Sequence, residues 1–262
     1  MSETTATHEP SASPNLGFGV DVGGSGIKGA VVDLHTGEFV GERKKIATPK
    51  PATPEAVAKT VATIVREHDW QGPVGITLPS VIKQQVATTA ANIDPSWVGT
   101  QVHDLFTQAL GREEIAVLND ADAAGVAEVA FGEPQAREGA VIFLTLGTGI
   151  GSALFIDGTL FPNTELGHLL LDGKEAEHLA SSAAKDREDL SYKKWAKRVD
   201  SVLHEYARLL NPATFIVGGG ISRKAEKWVP LLTVDIPVIP AKLRNRAGIV
   251  GAAMAAHTHL AP

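Results

Sequence analysis

The stretch that most constrains this chain is D-V-G-G-S-G-I-K-G-A, residues 21–30. Apolar runs flank it at 17–22 and 30–34, and His35-Thr36-Gly37 turns the chain again before 38–41. That order predicts strand, glycine-rich turn, strand, turn, strand. A near copy occurs at 142–153, I-F-L-T-L-G-T-G-I-G-S-A, and continues L-F-I-D-G. Laying Asp21 on Thr145 brings Gly23 onto Gly147 and Asp33 onto Asp157. A constant offset with one strand–glycine–strand grammar indicates a duplicated fold unit.

Glycine turns between strands let main-chain N–H groups face an anion with no Cβ in the way. Residues 24–29 match G-x-G-x-x-G, but that dinucleotide pattern requires a helix to follow. Here Ala30-Val31-Val32-Asp33-Leu34 follows, an apolar β-like run, so the turn reads as a hairpin. No G-x-x-x-x-G-K-[ST] is present, which excludes a P-loop. A third cluster, Gly218-Gly219-Gly220, strengthens the reading of a phosphate ligand over plain tight turns.

The net charge of −6 argues against general nucleic-acid binding, so a polyanion site has to be a local basic patch. With no cysteine, disulfides are excluded and a zinc site would need histidine and carboxylates alone. No apolar run reaches membrane length. Residues 1–16 form a Ser/Thr/Ala/Pro-rich tail expected to be disordered, unlike a signal peptide, and the expected location is the cytoplasm.

Thr53-Pro54-Glu55 reads as a helix start, continued to 68 by Val57, Val61, Ile64 and Val65 at helical spacing. Strands are expected at 74–78, 115–118, 215–217 and 237–239, and helices at 102–110, 121–131, 176–185, 192–210 and 249–257. Such alternation predicts an α/β chain of two related lobes. The expected first lobe is 17–118 plus a returning C-terminal helix at 247–260, and the second is 119–246.

Asp120 stands at a strand end before an Ala-rich helix, where a carboxylate can take a proton from a hydroxyl. A plain helix-capping aspartate is the alternative, and Asp122 is the rival carboxylate, expected to turn away inside the helix. Asp21 beside the first glycine turn suits a magnesium-bound water, or else simply caps the turn. Glu165 and His168 could hold a polar ligand, with a satisfied buried histidine as the alternative for His168, and Glu177 at a helix start reads as a solvated charge. Lys28, Arg43, Lys44 and Lys45 form one basic cluster, and Arg223, Lys224, Lys227, Lys242, Arg244 and Arg246 another. Trp70, Trp195 and Trp228 read as packing residues.

In order, D-V-G-G-S-G-I-K-G, L-N-D-A-D-A-A, L-G-T-G-I-G-S-A-L, E-L-G-H and F-I-V-G-G-G-I-S resemble the motifs of the ROK family of sugar kinases. The resemblance spans residue 18 to about residue 257. It implies the two-lobed actin-like ATPase-domain (ribonuclease H-like) fold with its active site in the interdomain cleft. Leu78-Pro79-Ser80 and G-K-x-A-E at 173–177 bring it nearest to the family's actinobacterial polyphosphate glucokinases, including the glucomannokinase type that uses polyphosphate or ATP. Most family members carry a cysteine-rich zinc motif after E-x-G-H; this chain has His168 but no cysteine, so no structural zinc is expected. Too few residues precede the first strand for the helix-turn-helix of the family's repressors.

The resemblance makes Asp120 the general base on the sugar 6-hydroxyl. Asn119, Glu165, His168 and Glu177 would bind the other hydroxyls, with Asn92 and Ser80 as further candidates. Asp21 would lie near Mg2+, through water, and the transferred phosphate. Gly23, Gly24, Ser25, Gly26 and Lys28 would cradle one side of the donor, Thr148 and Gly149 the other, and Gly219 and Gly220 would flank the nucleoside of ATP. Implied partners are glucose or mannose, polyphosphate and ATP, with no nucleic acid and no membrane; monomer and homodimer are both left open.

Overall fold

The computed structural model describes residues 15–90 and 93–260. Most of the expected tail, and the sugar candidate Asn92, lie outside the described residues.

The first lobe runs β1 (Leu16–Gly23), β2 (Gly26–Asp33), β3 (Glu38–Ile46), α1 (Pro54–Glu67), β4 (Val74–Leu78), the small hairpin β5 (Ile82–Lys83) and β6 (Val86–Ala87), α2 (Val102–Leu110) and β7 (Ile115–Asn119). Its sheet has the order β3-β2-β1-β4-β7. β1, β2 and β3 pair antiparallel, while β4 and β7 continue parallel to β1. The second lobe follows with α3 (Asp120–Phe131), β8 (Ala140–Leu146), β9 (Ile150–Ile156), β10 (Thr159–Phe161), the hairpin β11 (Leu170–Leu171) and β12 (Lys174–Glu175), and α4 (Ala176–Ala180). Then come α5 (Ser182–Arg187), α6 (Tyr192–Leu210), β13 (Thr214–Gly218) and β14 (Val238–Pro240), and the closing helix α7 (Ala247–Thr258) packs on β1, β2, β4 and β7 of the first sheet and on α3. The second sheet, β10-β9-β8-β13-β14, repeats the first strand for strand and direction for direction. This is the expected two-lobed actin-like α/β fold.

The repeat departs from a strict copy at its turns. Gly23 pairs with Gly26, leaving a two-residue turn, whereas Leu146 pairs with Ile150 across three residues. The second turns differ in the opposite sense. Asp33 pairs with Glu38 across four residues, while Ile156 pairs with Thr159 across Asp157-Gly158, both at positive φ. Each lobe keeps its strands and sets its own loop against the cleft.

Local chemistry accounts for the main helices. Thr53 Oγ1 accepts from Ala56 N ahead of Pro54, and Val57, Val61, Ile64 and Val65 bury the inner face of α1. Ser191 caps α6, which buries Trp195, Val199, Val202 and Tyr206 and closes on Asn211 in the left-handed region. The expected single helix 176–185 is two helices. Ser181 is extended there (φ −63°, ψ 160°), and its hydroxyl caps α5 at Ala184 N. Strand β3 runs five residues beyond the expected 38–41, because its charged, exposed second half hides the strand pattern. Charges of this kind blunt an edge strand against pairing with another chain.

Helix α7 is apolar all round and lies between the lobes. A Cβ on Gly19 would lie 1.9 Å from Ile249 O, one on Gly75 1.7 Å from Ala252 O, and one on Gly251 1.7 Å from Ala123 O. Glycine at these three points lets α7 rest main chain to main chain on β1, β4 and α3. Trp195 and Trp228 are wholly buried and meet edge to face at 5.0 Å in the second-lobe core.

Candidate active site

The facing ends of β1 and α3 bring the predicted acidic residues to one cleft. Asn119 is the N-cap of α3: its Oδ1 accepts from Ala121 N at 2.8 Å and Asp122 N at 3.2 Å. Asp120 is therefore the first residue of the helix, not its cap. Its Oδ1 accepts from Ala121 N at 2.9 Å, and the residue remains open to solvent. The cleft walls still crowd it, and that loss of solvation pushes its carboxyl up to about 6, helped by the negative charge of Asp21 and then of Glu165. Asp120 thus feels a residue of each lobe.

Asp21 sits on the first-lobe wall. Its Oδ2 accepts from Lys28 Nζ at 2.9 Å and its Oδ1 from the Thr77 hydroxyl at 3.2 Å. A Cβ on Gly248, in the first turn of α7, would lie 3.4 Å from Asp21 Oδ1, so this carboxylate faces the positive end of that helix. A single carboxylate at this position would suit magnesium, which keeps several waters and takes few protein ligands. The adjoining turn leaves Gly24 and Ser25 exposed. Lys45 stands directly opposite Lys28 in the β2–β3 register, and its stem crosses Gly26, where a Cβ would meet Lys45 Cε at 2.5 Å.

On the other lobe, Gly147 O accepts from Ser182 Oγ and Ala183 N, which ties the second glycine turn to α5 and leaves Thr148 exposed. Glu177 leans on the same turn: its Oε2 accepts from Ile150 N at 3.2 Å, and a Cβ on Gly149 would lie 2.3 Å from that oxygen. His168 Nε2 lies 3.5 Å from Glu165 Oε2 and its Nδ1 3.4 Å from Glu175 Oε2. Burial raises Glu165 above the ordinary carboxylate range, opposed by His168 and reinforced by Glu177. Gly219 (φ 85°) closes on the main chain of Leu146, so the triple glycine abuts the second hairpin.

Two predicted sugar ligands face inward. Ser80 is 2% exposed and donates its hydroxyl to Thr89 O at 2.8 Å, while its own carbonyl accepts from Asn119 Nδ2 at 3.1 Å. Asn119, with its Oδ1 on the helix, is likewise engaged at both ends. These two order the strand end that presents Asp120. Asp122, expected to turn away into the helix, is wholly buried and holds the main-chain N–H of Asn163 at 2.8 Å. Sequence reasoning missed Asn163 altogether; asparagine between Pro162 and Thr164 gave only a turn signal, and its φ of 60° is the feature that signal anticipates. Arg246 pairs with Glu38 and Lys242 with Glu133, which splits the second basic cluster.

Burial pushes the Asp122 carboxyl up to about 7 from 3.8. Between those values the folded chain binds the proton more tightly than the unfolded chain, so this group's stabilising contribution is largest below the lower value and is lost as pH rises to about 7. Melting temperature should therefore fall between pH 5 and pH 7.5 as Asp122 ionises in the fold, and Asp122→Asn should flatten that slope; an unchanged slope in the variant would contradict the assignment.

The ROK family model matches residues 17–181, and the chain belongs to the ROK family. Over 239 residues it is 56% identical to a polyphosphate glucokinase of Mycobacterium tuberculosis, covering 91% of this chain and 90% of that protein. A polyphosphate glucokinase of Mycobacterium leprae is 51% identical, over 97% of this chain and 80% of the relative. Among solved structures, the inorganic polyphosphate/ATP-glucomannokinase of Arthrobacter sp. strain KM superposes with a TM-score of 0.87 at 46% identity, covering 93% of this chain and 99% of that one. A ROK family glucokinase of Streptomyces griseus, solved with glucose and AMPPNP, gives 0.77 at 26% identity over 93% and 100% of the two chains. The chain is a kinase of this family. Among the described residues no helix is long and apolar enough to cross a membrane.

Proposed function

We propose that this kinase transfers a phosphoryl group from inorganic polyphosphate or ATP to the 6-hydroxyl of glucose, and also accepts mannose. The observation that carries the reading is the meeting of Asp120 with Asp21 and Glu165 in one cleft between two glycine hairpins. Phosphoryl transfer asks little covalent chemistry of the protein: it needs an aligned hydroxyl, neutralised phosphate oxygens and exclusion of water.

Asp120, ionised, accepts the proton of the 6-hydroxyl as that oxygen bonds to the terminal phosphorus and the bond from phosphorus to the donor's bridging oxygen breaks, releasing ADP or a polyphosphate shorter by one unit. Glu165 and His168 hold the other hydroxyls, with Glu177 bracing the second hairpin from behind. Asp21 would hold a magnesium ion through water, and the bound ion would supply charge neutralisation at the phosphate. Gly23, Gly24, Ser25, Gly26 and Lys28 on one lobe, and Thr148 and Gly149 on the other, bind the donor through amides, hydroxyls and one cation. Gly219 and Gly220 border the nucleoside of ATP, whereas polyphosphate uses the phosphate contacts alone.

A coupled assay for glucose 6-phosphate, run with ATP and with polyphosphate side by side, tests the reading. Turnover of glucose with both donors is expected; none with either sinks it. Because Asp120 must be ionised, kcat/KM should fall as pH drops through about 6. A profile flat from pH 5 to 8 would contradict its role as base.

The two donors should also separate at Lys45. Lys28 shares its charge with Asp21 and Arg246 pairs with Glu38, whereas Lys45 and Arg244 have no carboxylate partner among the described residues. Lys45→Ala should raise the KM for polyphosphate by about tenfold, equivalent to about 1.4 kcal/mol, and that for ATP by less. Equal losses with both donors would argue against a dedicated basic track.

A further inference from the structure

Beyond the glycine hairpins, one asparagine ties the sugar-side loop to the opposite lobe. Asn163 lies between β10 and the turn that carries Glu165 and His168. Its side chain brackets the backbone of Ile82 in β5: Ile82 N donates to Oδ1 at 2.9 Å, and Nδ2 donates to Ile82 O at 2.7 Å. Its own main-chain N–H donates to Asp122 Oδ2 at 2.8 Å. Asp122 is 0% exposed, and its other oxygen has no hydrogen-bond partner among the described residues.

A buried carboxyl with one unsatisfied oxygen destabilises a fold. An alanine at 122 would avoid that cost if the helix needed only packing there. What Asp122 does instead is anchor Asn163, from a position two residues after Asp120 on α3. The loop that follows is then referenced at a single residue both to the helix presenting Asp120 and to the first lobe.

We propose that Asn163 is a positioning residue for the sugar: anchored by Asp122 and gripping Ile82, it sets the distance between Asp120 and the pair Glu165 and His168. The inference rests on the reading above that this pair holds the sugar hydroxyls. It makes the Asp122–Asn163–Ile82 connection a determinant of acceptor binding, separate from donor binding.

The sharpest probe is Asn163→Gly. Glycine keeps the left-handed backbone and the N–H to Asp122 while deleting the grip on Ile82. In the full-length enzyme, the KM for glucose should rise by about 10–100-fold, with the KM for ATP and for polyphosphate moving less than about threefold. Asp122→Asn keeps an oxygen for the Asn163 N–H and should hold the glucose KM within about threefold of wild type, whereas Asp122→Ala should follow Asn163→Gly. Melting temperature measured on each variant separates positioning from folding. A lower melting temperature and lower kcat with an unmoved glucose KM would overturn the proposal. A wild type that phosphorylates glucose, with Asn163→Gly at wild-type glucose KM, overturns the positioning role alone; a wild type inactive on glucose overturns the functional reading with it.

Discussion

Asp120→Asn is expected to lower kcat on glucose by about 10²–10⁴-fold while the protein stays folded. The amide retains an oxygen for Ala121 N, so the first turn of α3 keeps its hydrogen bond. It also removes a carboxylate whose ionised form is disfavoured by its surroundings and by Asp21, so the melting temperature should hold or rise above pH 6. What the amide cannot do is accept the hydroxyl proton. Glucose KM should change little, because the oxygen remains to hydrogen-bond the sugar. A variant that keeps a near wild-type kcat with either donor would remove Asp120 from the chemistry and return it to the rank of a helix-terminal aspartate.

The second large effect concerns stability. Gly75→Ala and Gly251→Ala each place a methyl group 1.7 Å from a main-chain oxygen, Ala252 O and Ala123 O respectively. Backbone stands on both sides of each contact, so no side-chain rotation relieves the overlap and α7 has to back away from the lobe. Each substitution should cost about 3 kcal/mol or more, the upper part of the overpacking range. For a chain of this size that corresponds to a fall in melting temperature of about 10 °C. Catalysis should decline as well, because α7 also carries Gly248 against Asp21. A loss below about 3 °C for either variant would mean that the helix is not seated as described.

Much of the architecture was legible where local chemistry decides it. The glycines of 21–30 and 145–151, the Thr53–Pro54 start of α1 and the Asn211 end of α6 each follow from short-range rules. Strand β3 was cut short because an exposed edge strand has no apolar alternation to announce it. The alanines around Ser181 favour a continuous helix, and this hides the cap that its hydroxyl supplies to α5.

The candidate site divides in the same way. Asp21 and Asp120 stand out in the sequence at a glycine turn and a strand end, and Glu165 by its spacing to His168; the fold sets Asp21 and Glu165 close enough to Asp120 for their charge to act on it. Asn119 and Ser80 were assigned to the sugar, but their side chains are satisfied inside the protein, by α3 and by Thr89 O. Asp122 and Asn163 lie 41 residues apart, and Asn163 and Ile82 81 apart, so no local pattern could pair them. Glu128 is similar: it is buried and accepts from Lys242 N and Leu243 N, which fixes the approach to α7 across more than a hundred residues.

The most direct measurement is a crystal structure of the enzyme with glucose and a non-hydrolysable ATP analogue with magnesium. The glucose 6-hydroxyl should lie within about 3 Å of an Asp120 carboxylate oxygen, with the terminal phosphate in contact with both the 23–26 and the 147–149 turns. Glucose bound elsewhere, or phosphates touching only one of the two turns, would contradict the account.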